Sequence, residues 1–220
     1  MSAYVSDAVI RRLPAYNRHL NELEEEGIQQ ISSRELGEKM GLTPSQIRQD
    51  INSFGGIGRQ GYGYQVHELR EHIRGIMGLR KEHRMVILGA GRMGLAIANY
   101  AGFARKGFRT VALFDSDPER ILRSTEQLPI YPAAEIGARL PELAAEIGVL
   151  ALPAEATQAM AEVLYENGIR ALWNFAPVDL RMPEDAVAVN VHLSDSLEIL
   201  SYRMEHPETA RKKNEQNQKI

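Results

Sequence analysis

The sequence predicts a mixed α/β chain: a small helical domain first, then a domain built on a parallel sheet, then a terminal helix. Two observations predict it. Residues 1–84 carry apolar side chains at helical spacings and end beyond a glycine-rich stretch. From residue 85 onward, short apolar runs alternate with helical segments, which is the pattern of parallel strands joined by helices that cover both faces of a sheet. The expected boundaries are 1–84, 85–193 and 194–220.

The bulk properties remove several classes of function. The 220 residues include no cysteine, so disulfides, thiolate metal sites, iron–sulfur ligation and thiol redox switches are excluded. No metal site is expected. No apolar run reaches bilayer length, and the N-terminus lacks the basic-then-apolar order of a signal peptide. A cytoplasmic protein with no membrane partner is the expectation. The net charge of −3 argues against indiscriminate nucleic-acid binding, but it is unevenly spread. Residues 1–84 hold 12 Lys and Arg against 11 Asp and Glu, or +1, and residues 85–220 hold 14 against 18, or −4.

In chain order, Val9, Ile10, Leu13, Tyr16, Leu20 and Leu23 fall at helical spacings, with Pro14 expected to start a new turn or kink the helix and Gly27 to cap the end. Ser32 with Glu35 matches a capping box and predicts a helix start. Leu36 and Met40 face inward on that helix, and Gly41 ends it. Thr43 and Pro44 then open a second helix. On it Ile47, Ile51 and Phe54 share a face, while Ser45, Gln46, Arg48, Gln49 and Asn52 fall largely on the others. A short helix, a glycine turn and a helix with a polar, basic outer face make a helix-turn-helix pattern. Gln and Arg can read base edges bidentately, and Ser can hold phosphate. The run "GGIGRQGYGYQV" then predicts a glycine-punctuated hairpin, the wing of a winged helix, with Arg59 at its tip and Tyr62 beside it. The plain alternative is a helical domain that packs on its neighbour and touches no nucleic acid.

The second domain opens with a strand, "RMVIL", followed by Gly89, Ala90, Gly91, Arg92, Met93 and Gly94, which fit G-x-G-x-x-G. The three glycines allow the tight turn, the close approach of backbone to a pyrophosphate, and close helix–strand packing. The helix beginning near Arg92 offers free N–H groups and a positive dipole end to phosphate. Leu95, Ile97 and Ala98 are available to pack. A second strand, Arg109–Phe114, ends at Asp115, 21 positions after Gly94. A carboxylate there accepts from adenosine ribose hydroxyls and repels a 2′-phosphate, which favours NAD(H). Asp117 before Pro118 reads as a helix N-cap. The plain alternative is a glycine turn that holds no nucleotide.

Further strands are expected at 148–153, 169–177 and 187–193, with a helix in "EATQAMAEVLYENG". Together these predict a Rossmann-like sheet, whose ligands bind beyond the carboxyl ends of the strands. Pro153, Asn174, Phe175, Ala176 and Pro177 lie at such ends and are expected near the nicotinamide. No acid–base set accompanies them, so no catalytic residue is assigned. Too little chain follows the last strand for a substrate domain. In the last helix Leu193, Leu197, Leu200 and Met204 form one apolar stripe, to be buried on the protein's own sheet or, as helix-turn-helix proteins favour, on a second copy.

The order of these pieces, "QIRQDINSFGGIGRQGYGY", "LGAGRMGLAIANY", "FDSDP", "PAEA", "NFAPV" and "LSY", resembles the Rex redox-sensing transcriptional repressors over residues 4–204. The resemblance implies a homodimer that binds operator DNA of fermentation and respiration genes and reads the NADH/NAD⁺ ratio, NADH releasing the DNA and NAD⁺ permitting binding. It implies a C-terminal helix swapped between subunits and Tyr100 near the nicotinamide. Arg12 and Arg18 would be arginines of the N-terminal domain, the second at a domain interface. Three positions depart from the family pattern. His192 stands where an acid is common, so pairing with an arginine such as Arg18 is lost there. Gln49 and Gln60 stand where Lys and Arg are frequent, which should weaken phosphate contacts. An NAD-dependent dehydrogenase or epimerase with a fused helical domain is the alternative from another class, and a CoA-binding or regulatory domain without chemistry is a third.

Overall fold

The computed structural model describes residues 5–55 and 63–207. The chain divides into two compact units, one running to Arg80 and including the chain from Arg203, the other Lys81–Tyr202.

The first unit contains α1 (Asp7–Ile10), α2 (Leu13–Glu25), β1 (Gln30–Ile31), α3 (Ser33–Met40), α4 (Pro44–Ser53), β2 (Tyr64–Gln65) and α5 (Val66–Ile76). Pro14 falls in the first turn of α2, where its missing N–H costs nothing, and the chain breaks before it as expected. The stripe Val9, Leu13, Tyr16, Leu20 and Leu23 is buried against Leu36, Ile47, Ile51, Phe54, Leu69 and Ile73. Ile10, placed on that stripe by its spacing, is instead exposed, because α1 ends there and the register restarts in α2. The Ser32–Glu35 capping box forms, and Gly41 closes α3 in the left-handed region at φ +66. The strand that follows the glycine-rich stretch pairs with β1, and residues 56–62 of the hairpin expected there lie outside the described residues. Tyr64 lies antiparallel to Ile31, and Gln65 to Gln30. Gly63 makes this possible, since a Cβ there would sit 2.5 Å from the Ile31 carbonyl oxygen. Arg59, Gln60 and Tyr62 lie outside the described residues.

The second unit contains β3 (His83–Leu88), α6 (Arg92–Ala98), α7 (Ala101–Arg105), β4 (Phe108–Asp115), α8 (Pro118–Ile121), β5 (Ile130–Pro132), α9 (Ile136–Leu143), β6 (Ile147–Leu150), α10 (Ala154–Glu166), β7 (Ala171–Asn174), β8 (Val187–Asn190) and α11 (Leu193–Glu205) as far as Tyr202. Six strands pair in the order β5-β4-β3-β6-β7-β8, all parallel. That is the order of a doubly wound dinucleotide-binding sheet, with the strand order reversing between β3 and β6. The pleat sorts the core: Met85, Ile87, Leu113 and Val149 pack on one face, and Val86, Leu88, Ala112, Phe114 and Leu150 on the other. β5, three residues long and bounded by prolines at 129 and 132, has no periodicity from which to read it.

Candidate functional site

The glycine turn joins β3 to α6 at the reversal point of the sheet. Gly89 holds φ +99, and a Cβ on it would lie 2.4 Å from the Ala151 carbonyl oxygen just after β6. A Cβ on Gly94 would lie 1.8 Å from the Gly89 carbonyl oxygen, so α6 crosses the turn with no room for a side chain. Gly91, the N-cap of α6, is different: the nearest atom to a Cβ there is an Arg120 nitrogen at 3.7 Å. The space over Gly91 is therefore open to a ligand, whereas the space at Gly89 and Gly94 is filled by the protein's own backbone.

Asp115 ends β4 beside this turn and is buried. Its Oδ2 accepts from the Ala90 N–H at 2.6 Å and from Arg120 at 3.1 Å, and its Oδ1 accepts from the Asp117 N–H at 2.9 Å. Burial opposes the charge, but the Asp117 and Ala90 N–H groups and the Arg120 guanidinium outweigh it and hold the carboxyl below the usual carboxylate range. Asp117 caps α8 by accepting from the Glu119 N–H at 3.0 Å, as its place before Pro118 predicts. A cleft of about 310 Å³ opens here, lined by Ala90, Gly91, Arg92, Leu95, Asp117 and Arg120 among others. Its bare backbone and Arg92, Arg120 and Arg123 on its rim, which also carries Asp117 and Glu119, fit a pyrophosphate, and the Asp115 carboxylate lies buried beside it at the end of β4. Arg120 was not singled out from the sequence. Its signal was available: it lies five residues after Asp115, on the helix that Asp117 caps.

The residues expected at the nicotinamide end fall into two groups. Tyr100 is exposed between α6 and α7, and an edge-to-face row leads inward from it. Tyr100 meets Phe103 at 4.8 Å between ring centroids, Phe103 meets Trp173 at 5.4 Å, and Trp173 meets Phe175 at 4.5 Å. Pro153 caps α10, and Pro177 is exposed after β7. Asn174, by contrast, is fully buried and spends its amide on the loop itself. Its Oδ1 accepts from the Ala176 N–H, while its Nδ2 reaches the Val178 carbonyl at 2.6 Å and Asn190 Oδ1 at 3.0 Å. Asn174 and buried Ala176 thus shape the turn that carries Phe175 and Pro177. Met93 is exposed on α6.

In the first unit Ser45, Gln46, Arg48, Gln49 and Asn52 are all exposed on α4. Gln46 carries a second duty that was not foreseen. Its side-chain oxygen accepts from the Thr43 N–H at 3.1 Å, completing a capping box for α4. Arg48 donates to Ser33 of α3 at 3.1 Å. His192, where the resemblance leads one to expect an acid, lies 3.0 Å from Asp179.

Comparison with known proteins settles the family. Residues 4–52 match a family described as "Putative DNA-binding protein N-terminus", and residues 80–178 match the CoA binding domain. The redox-sensing transcriptional repressor Rex of Thermoanaerobacter sp. (strain X514) is 47% identical over 219 residues, covering 98% of this chain and 96% of the relative. The chain belongs to the Rex family of redox-sensing transcriptional repressors. Rex of Clostridium botulinum (strain Alaska E43 / Type E3) is 48% identical over 91% of this chain and 95% of its own. Among solved structures, RSP, a Rex-family repressor, in complex with β-NAD⁺ and operator DNA is 45% identical, covers 95% of this chain and 96% of its own, and superposes with a TM-score of 0.88. RSP in complex with β-NADH is 44% identical, covers 94% of this chain and 98% of its own, and has a TM-score of 0.85. The dehydrogenase alternative falls with this membership: Rex proteins are repressors, and this chain is one of them rather than an enzyme.

Proposed function

We propose that this Rex protein binds operator DNA through α3 and α4 as a homodimer and is released when the reduced dinucleotide occupies the second unit. One observation carries the reading: a glycine turn open only over Gly91, with Asp115 tied to the Ala90 N–H, stands in the same chain as a helix pair presenting Ser45, Gln46, Arg48 and Gln49. The RSP complexes with β-NAD⁺ and operator DNA and with β-NADH support it. Residues 89–94 would face the pyrophosphate and Asp115 the ribose. Tyr100, Pro153, Phe175 and Pro177 would flank the nicotinamide, with Phe175 and Pro177 on a loop held by Asn174 and Ala176. Arg59 and Tyr62 are proposed as further DNA contacts.

The dinucleotide, held unreacted, supplies one chemical difference, a positive ring charge that disappears on reduction. Phe175 and Pro177 carry no anion to pair with that charge, so a ring buried against them is proposed to favour the neutral form. A coupling of about 1–3 kcal/mol between the two sites suffices for a switch. The dimer reading rests on α11, none of whose residues is buried. We assign residues 1–84 to DNA, 85–193 to NAD(H) and 194–220 to dimerisation, and place the protein in the cytoplasm. Among the described residues no helix is long and apolar enough to cross a membrane. The test is a fluorescence-anisotropy titration of duplexes selected from a random pool, with and without NADH. Release at NADH concentrations where NAD⁺ does not release supports the proposal, and operator affinity indifferent to saturating NADH refutes it.

A further inference from the structure

Asp50 is the one carboxylate on α4, and it points inward. It shares the buried face with Ile47 and Ile51 and is 3% exposed. Both of its oxygens are occupied from α2. Arg12, at the start of that helix, donates through Nε to Oδ2 at 2.7 Å and through Nη2 to Oδ1 at 2.7 Å. The Tyr16 hydroxyl donates to Oδ2 at 3.0 Å. Burial and the Asp50 charge push the Tyr16 hydroxyl well above its usual range, so it remains a donor at any physiological pH. With Asp50 buried and the Arg12 guanidinium partly exposed, a pair of this kind adds little net stability compared with apolar residues of the same shape. Its distinctive property is direction: a planar guanidinium fork on a carboxylate admits one relative orientation, which the contacts of Ile47 and Ile51 do not demand.

We propose that Arg12, Asp50 and Tyr16 form a positioning clamp that sets the roll of α4, and with it which of Ser45, Arg48, Gln49 and Asn52 reach base edges. The clamp acts through the helix and does not touch DNA. A roll of about 20° moves a side-chain tip ~6 Å from the helix axis by about 2 Å. Hydrogen bonds to bases tolerate only a few tenths of an ångström. Phosphate attraction, being long-ranged, survives the same roll.

The proposal rests on the DNA-binding reading, and the experiment separates the two. The full chain is used to select duplexes from a random pool, and the selected duplex and a scrambled one are titrated over a range of salt. The double variant Arg12→Met/Asp50→Leu removes both charges without leaving either one buried alone, and Tyr16→Phe removes one hydrogen bond and keeps the pair. Quenching of Trp173, the single tryptophan, by added NADH is the internal control. For the double variant the expected result is at least a tenfold loss on the selected duplex, with scrambled-duplex affinity, salt slope and NADH affinity unchanged. Tyr16→Phe shows a loss of the same kind, about threefold, and carries the test if the double variant fails to fold. Unchanged affinity for the selected duplex in the folded variants overturns the clamp. So does an equal loss on both duplexes with a salt slope smaller by about one, which would make Arg12 a phosphate ligand. If the wild-type chain selects no duplex, the DNA-binding reading fails and the clamp falls with it.

Discussion

At the scale of single residues, the glycine turn is sterically over-determined while the space above it stays open. Gly94→Ala would drive a methyl group against the Gly89 carbonyl oxygen 1.8 Å away, so strand and helix must separate. The expected outcome is a loss of more than about tenfold in NADH affinity, above ~1.4 kcal/mol, read from Trp173 quenching. DNA binding should persist in that variant, with release requiring correspondingly more NADH. Asp115 supports a second prediction, about pH. Its carboxyl is depressed in the folded chain, so its stabilising contribution is present above the unfolded value of about 3.9 and is lost as pH falls through the folded value. The gap in urea midpoint between wild type and Asp115→Asn should therefore hold steady from about pH 8 to 5 and narrow below about pH 4. A gap that widened on acidification would mean that the Ala90 and Asp117 N–H groups do not stabilise the charged form.

Among the elements, α3 and α4, the helix pair proposed to bind DNA, are each closed at the N-terminus by a capping box, Ser32 with Glu35 and Thr43 with Gln46. Thr43→Ala leaves an orphan N–H at the start of α4 and should cost about 1 kcal/mol, measured by urea denaturation of the full chain. Gln46 forms half of that cap, so replacing it confounds DNA contact with helix stability, and Gln49 is the cleaner probe of base reading. In the second unit, Leu164 of α10 is fully buried against β6, where Gly148 leaves room for it. Leu164→Ala opens a cavity and should cost about 2–5 kcal/mol. A cost below 1 kcal/mol in a thermal or denaturant melt would show that the sheet collapses onto α10 at that point.

For the whole molecule, the proposed dimer turns on α11. Leu193, Leu197, Leu200 and Met204 are 53%, 66%, 52% and 71% exposed, an apolar stripe of a kind that monomers rarely leave in water. Leu197→Glu together with Leu200→Glu should shift the protein to a monomer by sedimentation velocity. The same variant should lose most of its operator affinity, because two half-sites one helical turn apart then have to be bound independently. A variant that still sediments as a dimer would place the interface elsewhere.

Whatever depends on neighbours in the chain was determined by the sequence alone. The Ser32 cap, the Gly41 stop, the Pro14 break, the glycine turn and the carboxylate at Asp115 are set by spacings of a few residues and by rules that act within a turn or a strand. Only the tertiary structure decided what depends on partners far apart along the chain. Asp50 has no role in the sequence reading, and it is Arg12 and Tyr16, more than thirty positions away, that surround it. Asn174 reads as a ligand-facing group until its amide is found committed to Ala176, Val178 and Asn190. Tyr64 pairs with Ile31, far back along the chain. The physical reason is the same in each case. Backbone conformation responds to local sterics and hydrogen bonding, whereas the role of a polar side chain is fixed by whichever donor or acceptor folding brings within about 3 Å of it.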